Sequence, residues 1–119
     1  MTLVDTSVWI DHLRRVNDQL VQLLNAGLVL HHPLVFAELA CGNLSNRLEI
    51  LGLLSTLPQA RITEYDETIQ FMESRKLFGL GLGWIDINLL ASAQLTGCRL
   101  WTYDKALVRA AEGLGLVNE

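Results

Sequence analysis

The stretch Leu3-Val4-Asp5-Thr6-Ser7-Val8-Trp9-Ile10 carries the reading that decides the fold. Two aliphatic residues end in a carboxylate, two hydroxyl residues follow, and an apolar run begins. That is a short strand, helix-capping residues at Thr6-Ser7, and a helix over Val8–Arg15. The pattern returns near the other end of the chain. There Gly97 closes a helix over Ile85–Thr96, Arg99–Thr102 reads as a strand, and Asp104 precedes a last helix ending near Gly113.

Between these ends the punctuation is regular. Asn17 or Asp18 caps a second helix that buries Leu20, Val21, Leu23 and Leu24 and stops before Gly27. Leu28-Val29-Leu30 is a continuous apolar run, as in a sheet covered on both faces. Pro33 suits the first turn of a helix running to Gly42. Leucines 48, 51, 54 and 57 stripe a helix over Arg47–Leu57, halted by Pro58. Arg61-Ile62-Thr63 is a candidate strand, Tyr65–Leu77 a helix, Gly79–Gly83 a loop, and Leu116-Val117 an edge strand. Helices alternating with short apolar strands predict an α/β fold, a three-layer sandwich with a short, mainly parallel sheet.

The chain has 119 residues, suited to one domain over 1–119, and no repeat or linker divides it. Half of its residues are hydrophobic and 18% are charged, below the usual quarter, which excludes disorder and predicts apolar surface to spare for an interface. Apolar stretches break well short of a membrane span, and the opening residues show no basic start or cleavage pattern. Cys41 and Cys98 form no metal or redox motif and are expected to be buried, reduced thiols of a cytoplasmic protein.

Thirteen acids against nine bases give a net charge of −4, which excludes a simple basic nucleic-acid-binding face. The acids carry the chemistry. Asp5 and Asp104 follow strands, where ligands of parallel sheets collect, or else cap the helices that come next. Glu38 has Leu34, Val35, Cys41 and Gly42 as helical neighbours, so it is desolvated, points into a cleft, or bends out to water past Gly42. Asp86 lies among Leu82, Gly83, Leu89 and Leu90, in a first turn where negative charge suits the helix dipole. Four carboxylates at one crevice need a cation, and Mg²⁺ or Mn²⁺ is the hard ion that oxygen ligands select. Thirteen acids less these four leaves nine, equal to the bases, so the net charge would belong to the site.

The four segments also resemble a family. Leu3–Ile10, Val35-Phe36-Ala37-Glu38-Leu39, Trp84–Ala93 and Leu100-Trp101-Thr102-Tyr103-Asp104 look like the ordered motifs of PIN-domain ribonucleases, most of all the VapC-type toxins of bacterial toxin–antitoxin pairs. The resemblance implies a PIN-like nuclease domain in which Asp5, Glu38, Asp86 and Asp104 bind Mg²⁺ or Mn²⁺ and carry catalysis. It gives Thr102 a supporting role, shared by Thr6 or Ser7. It implies endonucleolytic cleavage of RNA, a small cognate antitoxin and a homodimer. Residues 43–59 are compact, so antitoxin-binding helices are expected to be short there. Lys105 is the best candidate for a phosphate contact, and Trp84 for stacking on a base. The alternatives are a PIN-domain nuclease of RNA processing without an antitoxin, a non-catalytic PIN scaffold, and a receiver-like signalling module that gathers acids around Mg²⁺.

Overall fold

Strand β1 (Thr2–Val4) runs through the middle of the molecule, and its residues are buried from end to end. In the computed structural model, which describes residues 1–117, it is flanked in parallel by β2 (Val29–Leu30) and β3 (Arg99–Trp101). Leu3 faces Leu30 on one side and Leu100 on the other, and Val4 faces Trp101. Helices α1 (Thr6–Arg14) and α2 (Asp18–Asn25) connect β1 to β2. Helices α3 (Pro33–Cys41), α4 (Arg47–Thr56), α5 (Tyr65–Ser74) and α6 (Trp84–Thr96) lead to β3, and α7 (Lys105–Gly113) follows. The order β2-β1-β3 reverses direction between β1 and β3, and beyond the carboxyl ends of such strands parallel sheets collect their ligands. The α/β architecture and the PIN-like fold read from the sequence are borne out.

The core is built from Trp9, Leu20, Leu39, Leu54, Leu89, Leu90 and Leu107, all fully or almost fully buried. Each contributes roughly 1.5–3 kcal/mol through its lost apolar surface. Helix α6 is buried continuously from Ile87 to Ala93, which is why its sequence lacks a polar face. Its polar members there, Asn88 and Ser92, have partners: Asn88 donates to the Trp84 carbonyl at 3.0 Å, and Ser92 meets His32 Nε2 at 3.0 Å. Among the described residues, no helix is long and apolar enough to cross a membrane.

The differences from expectation are local. Asp5, not Thr6 or Ser7, is the N-cap of α1: it is the last residue with extended backbone, and Thr6 is already helical. Helix α5 ends at Ser74 because Lys76 takes the left-handed conformation (φ 55°) that stops a helix. Arg61–Thr63 forms no strand. β2 is so short that its edge accepts one bridge, His31 to Gln59, before the chain leaves it. Leu116 and Val117 form no ladder either; Leu116 offers its carbonyl to Leu100 N–H at 2.8 Å, a single bond. Cys41 is exposed near the end of α3, and only Cys98 is buried, where desolvation pushes its thiol pKa up. Asp11 accepts a hydrogen bond from Asn17 Nδ2.

His32 is the N-cap of α3, ahead of Pro33 at the first helical position. Its Nδ1 accepts from Leu34 N–H at 3.0 Å, so the ring is neutral with the proton on Nε2, facing Ser92. Burial, followed by the charge of His31, lowers its pKa to about 4. The unfolded chain titrates near 6.5, so the stabilisation is complete above that pH and is lost as pH falls toward 4, about 3 kcal/mol in all. His32→Asn keeps a capping acceptor without the titration. Melting temperatures over that range should fall steeply for the native chain and much less for His32→Asn. An equal acid slope in both would remove His32 as the cause.

Candidate active site

β1 delivers Asp5 to the crevice as a buried carboxylate, 6% exposed. A bare charge there would cost several kcal/mol, and three donors offset it. Asp5 Oδ2 accepts from Ser7 Oγ at 2.7 Å, Thr102 Oγ1 at 2.7 Å and Ser7 N–H at 3.4 Å. Thr102, at the end of β3, also accepts from Asp104 N–H at 3.0 Å, and Ser7 Oγ accepts from Tyr103 N–H at 3.0 Å. The turns after β1 and β3 are thereby tied together through two hydroxyls. Thr6 has different work: its hydroxyl donates to Glu38 Oε1 at 2.6 Å, across from α1 to α3. Glu38 is exposed, so water bears its charge while Thr6 fixes its position.

Asp86 sits in the first turn of α6, and its Oδ2 accepts from Gly83 N–H at 2.9 Å. Its pKa is raised, first by burial and then by the charges of Asp5 and Asp104, and is partly restored by the Gly83 bond. No basic group enters that balance. Asp104 caps α7, with Oδ1 accepting from Leu107 N–H at 2.9 Å. Capping and site-building are therefore not alternatives. In Asp5, Asp86 and Asp104 one oxygen is held by the fold, and the other accepts no hydrogen bond from the described residues.

Asp5 and Asp104 lie near enough to Asp86 to raise its pKa, and Glu38 is tied to Thr6, the residue after Asp5. Among the described residues, no three His, Cys, Asp or Glu side chains lie close enough to form a ready-made ion site. The coupling of the acids is nonetheless evident in the field that Asp5 and Asp104 exert on Asp86, and in the Thr6 link to Glu38.

Lys105 is exposed in the first turn of α7, beside Asp104, and Trp84 is exposed in the first turn of α6, two residues before Asp86. Sequence spacing missed Tyr65, whose ring lies 5.3 Å from that of Trp84. It also missed Asn17, which donates to both Asp11 Oδ2 at 3.2 Å and Tyr103 Oη at 2.8 Å. Nothing in the local pattern links residues so far apart. Asn88 did leave a signal, as a lone amide inside an apolar helix.

Residues 2–113, nearly the whole chain and all four acids, match the family model described as PIN domain. The chain belongs to the PIN-domain family. The VapC-type resemblance of its motifs is borne out by two relatives, both named Ribonuclease VapC32, from Mycobacterium tuberculosis strains CDC 1551 / Oshkosh and ATCC 25618 / H37Rv. Each is 46% identical over 122 residues, covering 100% of this chain and 98% of the relative. In this PIN domain, then, Asp5 and Asp104 follow the two strands that flank the switch point, held by caps and hydroxyls.

Proposed function

We propose that this PIN domain is a divalent-metal-dependent endoribonuclease, the toxin of a toxin–antitoxin pair, with residues 1–119 acting as one nuclease domain in the cytoplasm. The observation that supports the reading is that Asp5, Asp86 and Asp104 each have one oxygen anchored and the other without a donor among the described residues. The donor set is all oxygen, which suits Mg²⁺ or Mn²⁺ held by Asp5, Glu38, Asp86 and Asp104. The raised pKa of Asp86, due first to burial and then to the charges of Asp5 and Asp104, fits the same conclusion. When bound, the ion supplies the positive charge that admits a phosphate to this crevice and makes a water acidic enough to attack it.

The chain's own residues orient and hold. Ser7 and Thr102 fix the rotamer of Asp5, Thr6 fixes Glu38, and the Gly83 amide fixes Asp86. Lys105 is placed to meet a substrate phosphate next to Asp104. The ribonuclease name of the relatives supports RNA as the substrate. The VapC-type resemblance supports an antitoxin and a homodimer. For such contacts α4, a helix of ten residues, offers exposed Leu48 (80%) and Leu53 (42%). The family match sets the receiver-like reading aside.

Incubating the purified protein with single-stranded RNA tests the proposal. Cleavage with Mg²⁺ or Mn²⁺ supports it, and intact RNA under both metals contradicts it. Expression should also arrest growth of a host that lacks the antitoxin, and unaffected growth would contradict the toxin role. Thr102→Val preserves shape but removes the hydroxyl that serves Asp5 and Asp104. It should lower cleavage about 10- to 100-fold and stability by about 1–3 kcal/mol. Wild-type cleavage in that variant would show that Asp5 needs no such support.

A further inference from the structure

We propose that Tyr65 and Trp84 form a stacking platform for an unpaired nucleobase of the substrate, beside the acidic crevice; this deepens, and rests on, the endoribonuclease reading. Tyr65 is 67% exposed and Trp84 40%, and both are large aromatic side chains left facing water. Their ring centroids lie 5.3 Å apart with the planes at 45°. The pair is held from beneath. Trp84 opens α6, and its carbonyl accepts from Asn88 Nδ2 at 3.0 Å. Asn88 Oδ1 in turn accepts from the buried Thr68 hydroxyl of α5 at 3.2 Å, and Thr68 meets Thr63 at 2.6 Å. A buried polar relay therefore fixes the start of α5, with Tyr65, against the start of α6, with Trp84. Aromatic faces set in advance lose little entropy when a base arrives.

Position and charge select the occupant. Gly83, whose amide binds Asp86, is the residue immediately before Trp84. The preceding loop lies against α7: a methyl group added at Gly81 would touch Ala106 at 3.9 Å, close to Asp104 and Lys105. The platform thus shares the first turn of α6 with Asp86. Its other neighbours, Glu64, Asp66 and Glu67, crowd the first turn of α5 and repel phosphate. An uncharged base face is what such a surface accepts, with the backbone directed away from it. Stacking is tolerant of sequence and blind to the 2′-hydroxyl, so the platform should hold RNA and DNA single strands alike and reject duplex.

The test uses Asp5→Asn protein, to halt cleavage, with Mg²⁺ and a fluorescein-labelled unstructured RNA oligonucleotide read by anisotropy. Adding Tyr65→Ala or Trp84→Ala should raise Kd about 5- to 150-fold, with Trp84→Phe restoring most of the affinity. Mn²⁺ affinity, measured in each platform variant without the Asp5 change, should match that of the native chain. Unchanged RNA affinity in both alanine variants, undetectable binding by the parent, or loss of binding to a protein partner alone would overturn the proposal. If Trp84→Ala fails to fold, Tyr65→Ala decides the matter by itself. Cleavage by the native chain, run alongside, separates the two readings. Its absence overturns the endoribonuclease, whereas its presence with unaltered binding overturns only the platform.

Discussion

Asp5→Asn should reduce RNA cleavage by about a thousandfold while leaving the fold intact. Asp5 ends the central strand, and its Oδ2 already accepts from Ser7 and Thr102. Asparagine has the same shape and caps a helix as well as aspartate does, so α1 keeps its start. With its oxygen turned to the two hydroxyls, the amide presents N–H groups to the crevice, where a cation needs an anion. Removing one preorganised charge-stabilising group commonly costs a hundred- to about a thousandfold in rate, and a ligand at the centre of the site belongs at the upper end. Cleavage assays paired with melting curves check both halves. Asp86→Asn should lose activity similarly but with a different thermal signature. The Asp86 pKa is raised in the fold, so its ionisation opposes folding once pH exceeds that raised value. Neutral asparagine removes the penalty and still accepts from Gly83. The variant should be inactive and at least as stable as the native chain at neutral pH, the pattern of a residue kept for function. Activity retained by either variant would contradict its assigned role.

Chelation is the second large effect. EDTA should abolish cleavage completely, and excess Mg²⁺ or Mn²⁺ should restore it, because phosphate cannot approach four uncompensated carboxylates unaided. The ions should also raise the melting temperature, since binding to the folded state alone adds about 2.7 kcal/mol at a hundred times Kd. Undiminished cleavage in EDTA would remove the metal from the account.

The sequence exposed what is local. A carboxylate directly after an apolar strand marks the end of a buried sheet, and Asp5 and Asp104 stand there. Asn17, Pro33 and Gly97 mark helix ends by backbone chemistry that depends on adjacent residues only. Periodicity also placed Asp86 in a first turn. It could not say whether Glu38 is dry or wet, because a helix face reports apolar neighbours along one element, whereas the exposure of Glu38 and its Thr6 partner depend on how α1 meets α3. Thr6 and Ser7 were indistinguishable as adjacent hydroxyls, and the fold gives each its own carboxylate. His32 follows an apolar strand, and nothing local shows that its imidazole caps a helix from inside the core. Arg61–Thr63 had strand composition but no free edge long enough to pair with. In each case the missing information was a contact between distant segments.

Mn²⁺ binding measured by titration calorimetry, on the native chain and on Asp5→Asn, Glu38→Gln, Asp86→Asn and Asp104→Asn, tests most directly whether the four acids serve one ion. The account predicts saturable binding by the native chain and at least about a tenfold loss of affinity in every variant. Native affinity in all four variants, or no binding by the native chain, would contradict it.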